Sequence, residues 1–315
     1  MKKYLFLAAL LLTAFTAATT FTACSNDDIQ IDHAVNVDVK LSTVVAPFAY
    51  NLSSESVKAM NPRYKVRARL LAYDANGAKV FESTQIKDNY DEIASASLNM
   101  PDGQYTLLAI TDVVQMEAAG SPTIKFEYWQ LNDDDKLTSL TIEKLNKNPY
   151  KYSMIGIGSK QVTFNGTQQY VSLEPEPAGA LICLDATNIK APITFANGST
   201  VKGYALQANK YASYVKFNDR GKFEVVPATA SPALYMEFDK EGSSNTYQNY
   251  CFFLPSDDIA VSFVGITGTN SDGRTRSGHT LATTTISAKA GEEYLLSIDC
   301  ALCGDTPIAL QTSKK

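Results

Sequence analysis

Residues 64–84 read YKVRARLLAYDANGAKVFEST. Tyr64, Val66, Ala68 and Leu70 alternate with Lys65, Arg67 and Arg69, the two-residue period of a strand with one face in a core. The run continues into Leu71 and ends at Asp74-Ala75-Asn76-Gly77. Asn76-Gly77 can take the positive backbone torsions of a tight turn, so Lys79–Thr84 is expected to return as the antiparallel partner. Upstream, Val35, Val37, Val39 and Leu41 repeat the alternation. Downstream, Ala94–Met100 and Gln104–Thr111 flank Pro101-Asp102-Gly103, where proline presets one turn torsion and glycine supplies the permissive position. Short antiparallel strands with no connecting helix bury their apolar faces by stacking sheets, so the first half is expected to be a β-sandwich.

Between these strands the pattern thins. Val44–Asn61 lacks alternation, and Ser53–Lys58 is expected to form a helical turn that Pro62 stops. Periodicity weakens again from Val113 to Asn148. Asp133-Asp134-Asp135 resembles a calcium-ligand run, but no glycine follows at the loop centre and no glutamate closes it, which favours a solvated charged turn. Tyr128 and Trp129 stand beside this loop. Exposed, they would be contact aromatics; buried, they would belong to the sandwich core.

The second half carries the same signature. Val162–Leu173 reads as strands joined across Asn165-Gly166, with Gly166 marking a turn or a bulge. Glu174-Pro175-Glu176-Pro177 breaks or edges the sheet, because proline cannot donate to a ladder. Ala180–Ala186 resumes as a core strand containing Cys183. Lys202–Leu206, Tyr214–Phe217, Lys222–Val226, Leu234–Phe238, Asn249–Leu254 and Ile259–Ile266 are all short and turn-bounded. Asn270–Gly278, with Arg274 and Arg276, reads as a solvated hairpin tip rather than an anion site. Leu281–Ala288 and Glu293–Ile298 flank Ala290-Gly291 as a further hairpin. The expected fold is all-β, with an N-terminal sandwich domain over 34–160 and a C-terminal one over 161–315.

Composition narrows function. The formal net charge of −5 leaves no strongly basic footprint, so nucleic acid is not an expected partner. Only two histidines occur, His33 and His279, which makes a histidine-based catalytic or zinc centre hard to build. Cys183, Cys251, Cys300 and Cys303 are an even set that could form disulfides in three connectivities or stay as buried thiols. The spacing of Cys300 and Cys303 matches half of a zinc or redox site, but no second pair stands at similar spacing. No metal or cofactor is expected. Ser256-Asp257-Asp258 lacks both the strand-to-helix elbow and the nearby histidine of nucleophilic serine chemistry, and His279 sits beside a glycine in a turn.

The N-terminus opens with Lys2 and Lys3, an apolar run Leu5–Leu12, and Phe21-Thr22-Ala23-Cys24. A positive start, a short hydrophobic stretch and small residues at its exit describe a secretory signal over 1–23. The cysteine at its end resembles the lipobox of bacterial lipoproteins, which implies a lipid on Cys24. Each buried methylene is worth about 0.8 kcal/mol, so two or three acyl chains hold a protein firmly on a bilayer. Ser25-Asn26-Asp27-Asp28 then begins a polar tether over 24–33. It resembles the short acidic export signal of Bacteroidota lipoproteins sent to the outer face of the outer membrane.

Taken together, the lipobox, the turn Tyr73–Gly77 within Val66–Phe81, Met100–Tyr105 within Leu98–Ala109, and the strand change over Tyr170–Ile189 resemble the Bacteroidales fimbrillin-like proteins. The closer likeness is to their minor-subunit and anchor lipoproteins. The resemblance implies two tandem transthyretin-like sandwiches and partners among fimbrial subunits, joined by β-strand addition, with the protein held at the cell outer membrane. Strand addition satisfies an open sheet edge through main-chain hydrogen bonds while alternate side chains enter core pockets. Shaft subunits of the family are processed at an arginine ahead of the first strands. Here Arg63 is the first arginine after Cys24, and cutting there would remove Val35–Leu41 together with the lipid, which suits an anchor better than a shaft. The rival expectation is a glycan-binding surface lipoprotein that uses Tyr128, Trp129 and the tyrosines of Tyr204–Tyr214 as stacking surface. Catalysis is not expected.

Overall fold

The computed structural model describes residues 33–48, 63–132, 135–145, 153–166, 169–209, 211–212, 214–226, 234–239, 244–269 and 276–315. The signal segment, Cys24, most of the tether, the Ser53–Lys58 turn, Asp133-Asp134 and Arg274 lie outside the described residues. Among those described, no helix is long and apolar enough to cross a membrane.

The first half runs through β1 (His33–Lys40), β2 (Tyr64–Asp74), β3 (Lys79–Lys87), β4 (Ile93–Met100), β5 (Gly103–Met116) and the short β6 (Ile124–Glu127), β7 (Trp129–Asn132) and β8 (Thr141–Lys144). It continues with β9 (Ile155–Phe164), β10 (Gln169–Leu173) and β11 (Glu176–Pro177). The second half contains β12 (Ala180–Thr187), β13 (Gly203–Asn209), β14 (Tyr214–Phe217), β15 (Phe223–Val226), β16 (Leu234–Asp239) and β17 (Thr246–Phe253). It closes with β18 (Ser256–Thr269), β19 (Arg276–Ala288), β20 (Glu293–Asp299), β21 (Ile308–Ala309) and β22 (Gln311–Lys314). Apart from 3-10 turns after β1 and after β20, the described chain is β, and its sheets stack in sandwich fashion around two apolar clusters.

A three-stranded sheet β10-β1-β4 and a six-stranded sheet β11-β9-β5-β2-β3, with β6 on β5, enclose the first cluster. The β2–β3 hairpin forms as its turn chemistry requires: Gly77 has φ +76°, and the Asp74 Oδ1 carboxylate oxygen accepts from the amides of Asn76 and Ala78 at 2.8 and 2.9 Å. The sheets β17-β12-β20-β22 and β16-β13-β18-β19-β21 enclose the second cluster. β12 is buried on both sides. Leu181 and Cys183 face the first cluster, while Ile182, Leu184 and Ala186 face the second. A strand covered on both faces has no reason to alternate with polar residues, which accounts for the near-continuous apolar run ALICL.

Three expectations about organisation are corrected. β19 and β20, expected as a hairpin across Ala290-Gly291, lie in different sheets, β19 between β18 and β21 and β20 between β12 and β22. β9 and β10 are not a hairpin: β9 pairs with β5, and β10 crosses to the other sheet to lie parallel to β1. Residues 161–173 are therefore sewn into the N-terminal sheets, and the pairing of that half runs on to Pro177, past the expected division at 160/161. The halves also share a sheet, β15-β14-β8-β7, in which β14 pairs antiparallel with β8. Val215 and Phe217 of β14 pack into the first cluster.

The alternation of β2 concealed an ionic core. Arg67 is 3% exposed, and its Nε and Nη2 donate to the two carboxylate oxygens of Asp112 at 2.8 and 2.6 Å. Its Nη1 lies 2.8 Å from Glu127, and Nη2 also reaches the carbonyl of Trp129 at 3.3 Å. A buried guanidinium is tolerated when its fork is filled in this way. The cluster ties β2, β5, β6 and β7 together.

Candidate assembly site

β1 occupies the middle of its sheet. Along one side Val35, Val37 and Val39 run parallel to Gln169, Val171 and Leu173; along the other they oppose Leu98, Ala96 and Ala94. The three valines are 0–2% exposed, and Leu41 in the following 3-10 turn is fully buried. At about 1.5–3 kcal/mol for each fully buried side chain, this row is a substantial part of what holds β1 in its slot.

The outward side of β1 is stitched to both neighbours. The Asp38 carboxylate accepts from the Ser95 hydroxyl of β4 at 2.6 Å and from the Tyr170 hydroxyl of β10. Those two donors hold its carboxyl below the usual carboxylate range. Lys40 pairs with Glu174 at 2.5 Å, an exposed contact worth little by itself. Beyond the strand, the Thr43 hydroxyl donates to the Pro175 carbonyl at 2.5 Å. Val44 lies so close to β9 that a Cβ on Gly156 would sit 2.3 Å from a Val44 methyl. The glycine in Ile155-Gly156-Ile157-Gly158 is the signal of that close approach, which the sequence reading did not use.

Arg63, the candidate processing position, is exposed and immediately precedes β2; its carbonyl accepts from the Met116 amide at 2.6 Å. At the other end of the chain, β22 is an edge strand whose four residues are all exposed. It is held to β20 by its ladder and by a Lys314–Glu292 ion pair.

The other singled-out residues fall elsewhere. Tyr128 and Trp129 are 0% and 1% exposed, so of the two fates set out for them it is burial in the sandwich core that the structure shows, and they are not contact aromatics. Trp129 is held inward by its Nε1–H donating to the Ser153 carbonyl at 2.9 Å. Tyr204 and Tyr211 are buried too, with the Tyr204 hydroxyl donating to the Ile189 carbonyl at 2.9 Å. Lys144 places its ammonium 5.5–6.0 Å from the ring centroids of Trp129, Tyr211 and Phe253, and donates to the Phe252 carbonyl at 3.0 Å. Burial pushes the Lys144 amine down to about 8 and the neighbouring Cys251 thiol up to about 12.

Cys183, Cys251, Cys300 and Cys303 are present as thiols, the second of the two alternatives their even number left open. Cys183 pairs across the ladder with Tyr250 and Cys251 with Ile182, so the one-residue offset sends the two sulfurs to opposite faces of the sheet. Cys300 is buried, and Cys303 is half-buried with burial pushing its thiol up to about 11. Among the described residues no group of three or more His, Cys, Asp or Glu could hold a metal. His279 packs its ring on Phe195 at 4.1 Å, and Ser256 uses its hydroxyl to accept from the Ala212 amide at 2.7 Å.

No family model matches the chain, and no curated protein does. Solved structures do. A protein assigned to cell adhesion from Parabacteroides distasonis has a TM-score of 0.52 at 11% identity, over 91% of this chain and 97% of its own. The fimbrial anchor protein Mfa2 from Porphyromonas gingivalis gives a TM-score of 0.44 at 12% identity, over 84% and 90%. At such identities the likeness is one of fold, and the first match places this chain with an all-β architecture known in solved form.

Proposed function

We propose that the chain is a non-enzymatic, lipid-anchored component of a surface fimbria or adhesin, in a minor or anchoring role, built as tandem transthyretin-like sandwiches and joined to other subunits by strand addition. The observation that carries this reading is the position of β1. An N-terminal strand with a row of buried valines lies between two other strands, and one cut at Arg63 would leave it held by non-covalent contacts alone. A partner strand with the same alternation could then take its place. With Arg63 intact the slot stays filled, the Cys24 lipid stays attached to the body, and the unpaired side of β22 is the place for a partner's strand to add.

The fold shared with the cell adhesion protein supports the reading without specifying the mechanism. The glycan-binding rival loses its expected stacking platform, because Tyr128 and Trp129 are in the core.

The test is to isolate the protein from its native outer membrane with a photo-crosslinker at Thr312 on β22 and to determine its N-terminus by mass spectrometry. An acylated Cys24 and crosslinked fimbrial subunits are expected. A mature chain with an unmodified N-terminus and no subunit partner would overturn the proposal.

A further inference from the structure

At the end of the six-stranded sheet, away from β1, lies a cleft of about 360 Å³. That is within the range of small-ligand sites. Its floor is four polar side chains on adjacent strands: Gln104 opposite Thr163, and Thr106 opposite Gln161. None of the four donates to or accepts from protein through its side chain among the described residues, although Thr106 is only 6% exposed.

Two rigid turns form the walls. One carries Asn76 and is fixed by Asp74 and by the Leu137 amide donating to the Gly77 carbonyl at 2.9 Å. The other carries Asp219 and is pinned by Asn218 Oδ1, which accepts from the amides of Arg220 and Lys222 at 2.9 and 3.0 Å. Gly221 in this turn has φ +71°, and a Cβ there would lie 2.6 Å from the Thr106 methyl, so the turn sits directly on the floor. The charged residues of the lining are Lys136, Asp74 and Asp219, one cation against two acids, of which Asp74 is engaged in its own turn.

We propose that this cleft binds a neutral carbohydrate unit. Carboxamides and hydroxyls each donate and accept, which matches the hydroxyls of a pyranose. One lysine against two aspartates does not make an anion site, and the polar floor offers no apolar side-chain row for a peptide strand. Both turns are fixed before any ligand arrives, so little ordering remains to be done on binding.

The proposal goes beyond the assembly reading, and either can fail alone. The test uses the intact mature protein with neutral tetrasaccharides of glucose, galactose, mannose and N-acetylglucosamine, and tetragalacturonate as the anionic probe, followed by calorimetry. At least one neutral probe should bind. Gln161→Ala and Asp219→Ala, both at exposed positions, should each weaken that binding about three- to tenfold. Thermal midpoints and recovery of fimbrial partners should stay unchanged. Binding that is indifferent to both variants, preference for tetragalacturonate, or no binding of any neutral probe would each overturn it.

Discussion

Arg67 shows how one side chain can mislead a pattern and still stabilise the fold. Its place in an alternating strand suggests solvent, yet its guanidinium is filled by Asp112, Glu127 and the Trp129 carbonyl. Removing one partner strands the other in the core. Arg67→Ala should therefore cost about 3–5 kcal/mol in urea denaturation, while Arg67→Met combined with Asp112→Leu should recover most of that loss. Lys144 makes a second residue-scale prediction. Its folded value near 8 lies below that of a lysine in an unfolded chain, so the unfolded state binds more protons above that pH and stability should rise from pH 8 toward 9. Beyond about 9 the raised Cys251 thiol works the other way, since the unfolded thiol ionises first. Lys144→Met should abolish the rise between pH 8 and 9, as read from denaturation midpoints.

At the scale of elements, what could be seen in the sequence was what is local. The β2–β3 hairpin follows from Asn76-Gly77, the chain reversals after β4 and β19 follow from Pro101-Asp102-Gly103 and Ala290-Gly291 although the strands they join lie in different sheets, and Val35–Val39 announces a half-buried strand. The slot that receives that strand could not be seen. Its walls are β4 and β10, the latter about 130 residues away and parallel, and no turn chemistry links strands at that separation. The same non-locality hid the true course of β9 and β10. Cutting after Arg63 with a trypsin-like protease should leave the fragment bearing β1 bound, co-eluting with the body on gel filtration. A synthetic peptide of residues 33–41 should exchange into the slot, and the same peptide carrying Val37→Asp should not, because a carboxylate would enter the core. Acid should speed the exchange. Asp38 has a lowered folded value, so its contribution is complete at neutral pH, declines as pH falls through the carboxylate range, and is gone below the folded value.

For the whole molecule, the sheet β15-β14-β8-β7 makes the halves interdependent. Ala212, Val215, Phe217, Phe252 and Leu254 from the second half lie in the first cluster, and β12 presents one face to each. Residues 33–178 expressed alone should lack this cover and bind hydrophobic dyes, whereas residues 33–315 together should unfold in one calorimetric transition. The central placement of β1 has a mechanical side as well. Tension entering at His33 and directed along the strand strains every rung on both flanks together, while a tug across it parts them one after another. Pulled from that end, the strand would hold in the first direction and yield in the second, so the angle of drag would decide how long it stays seated.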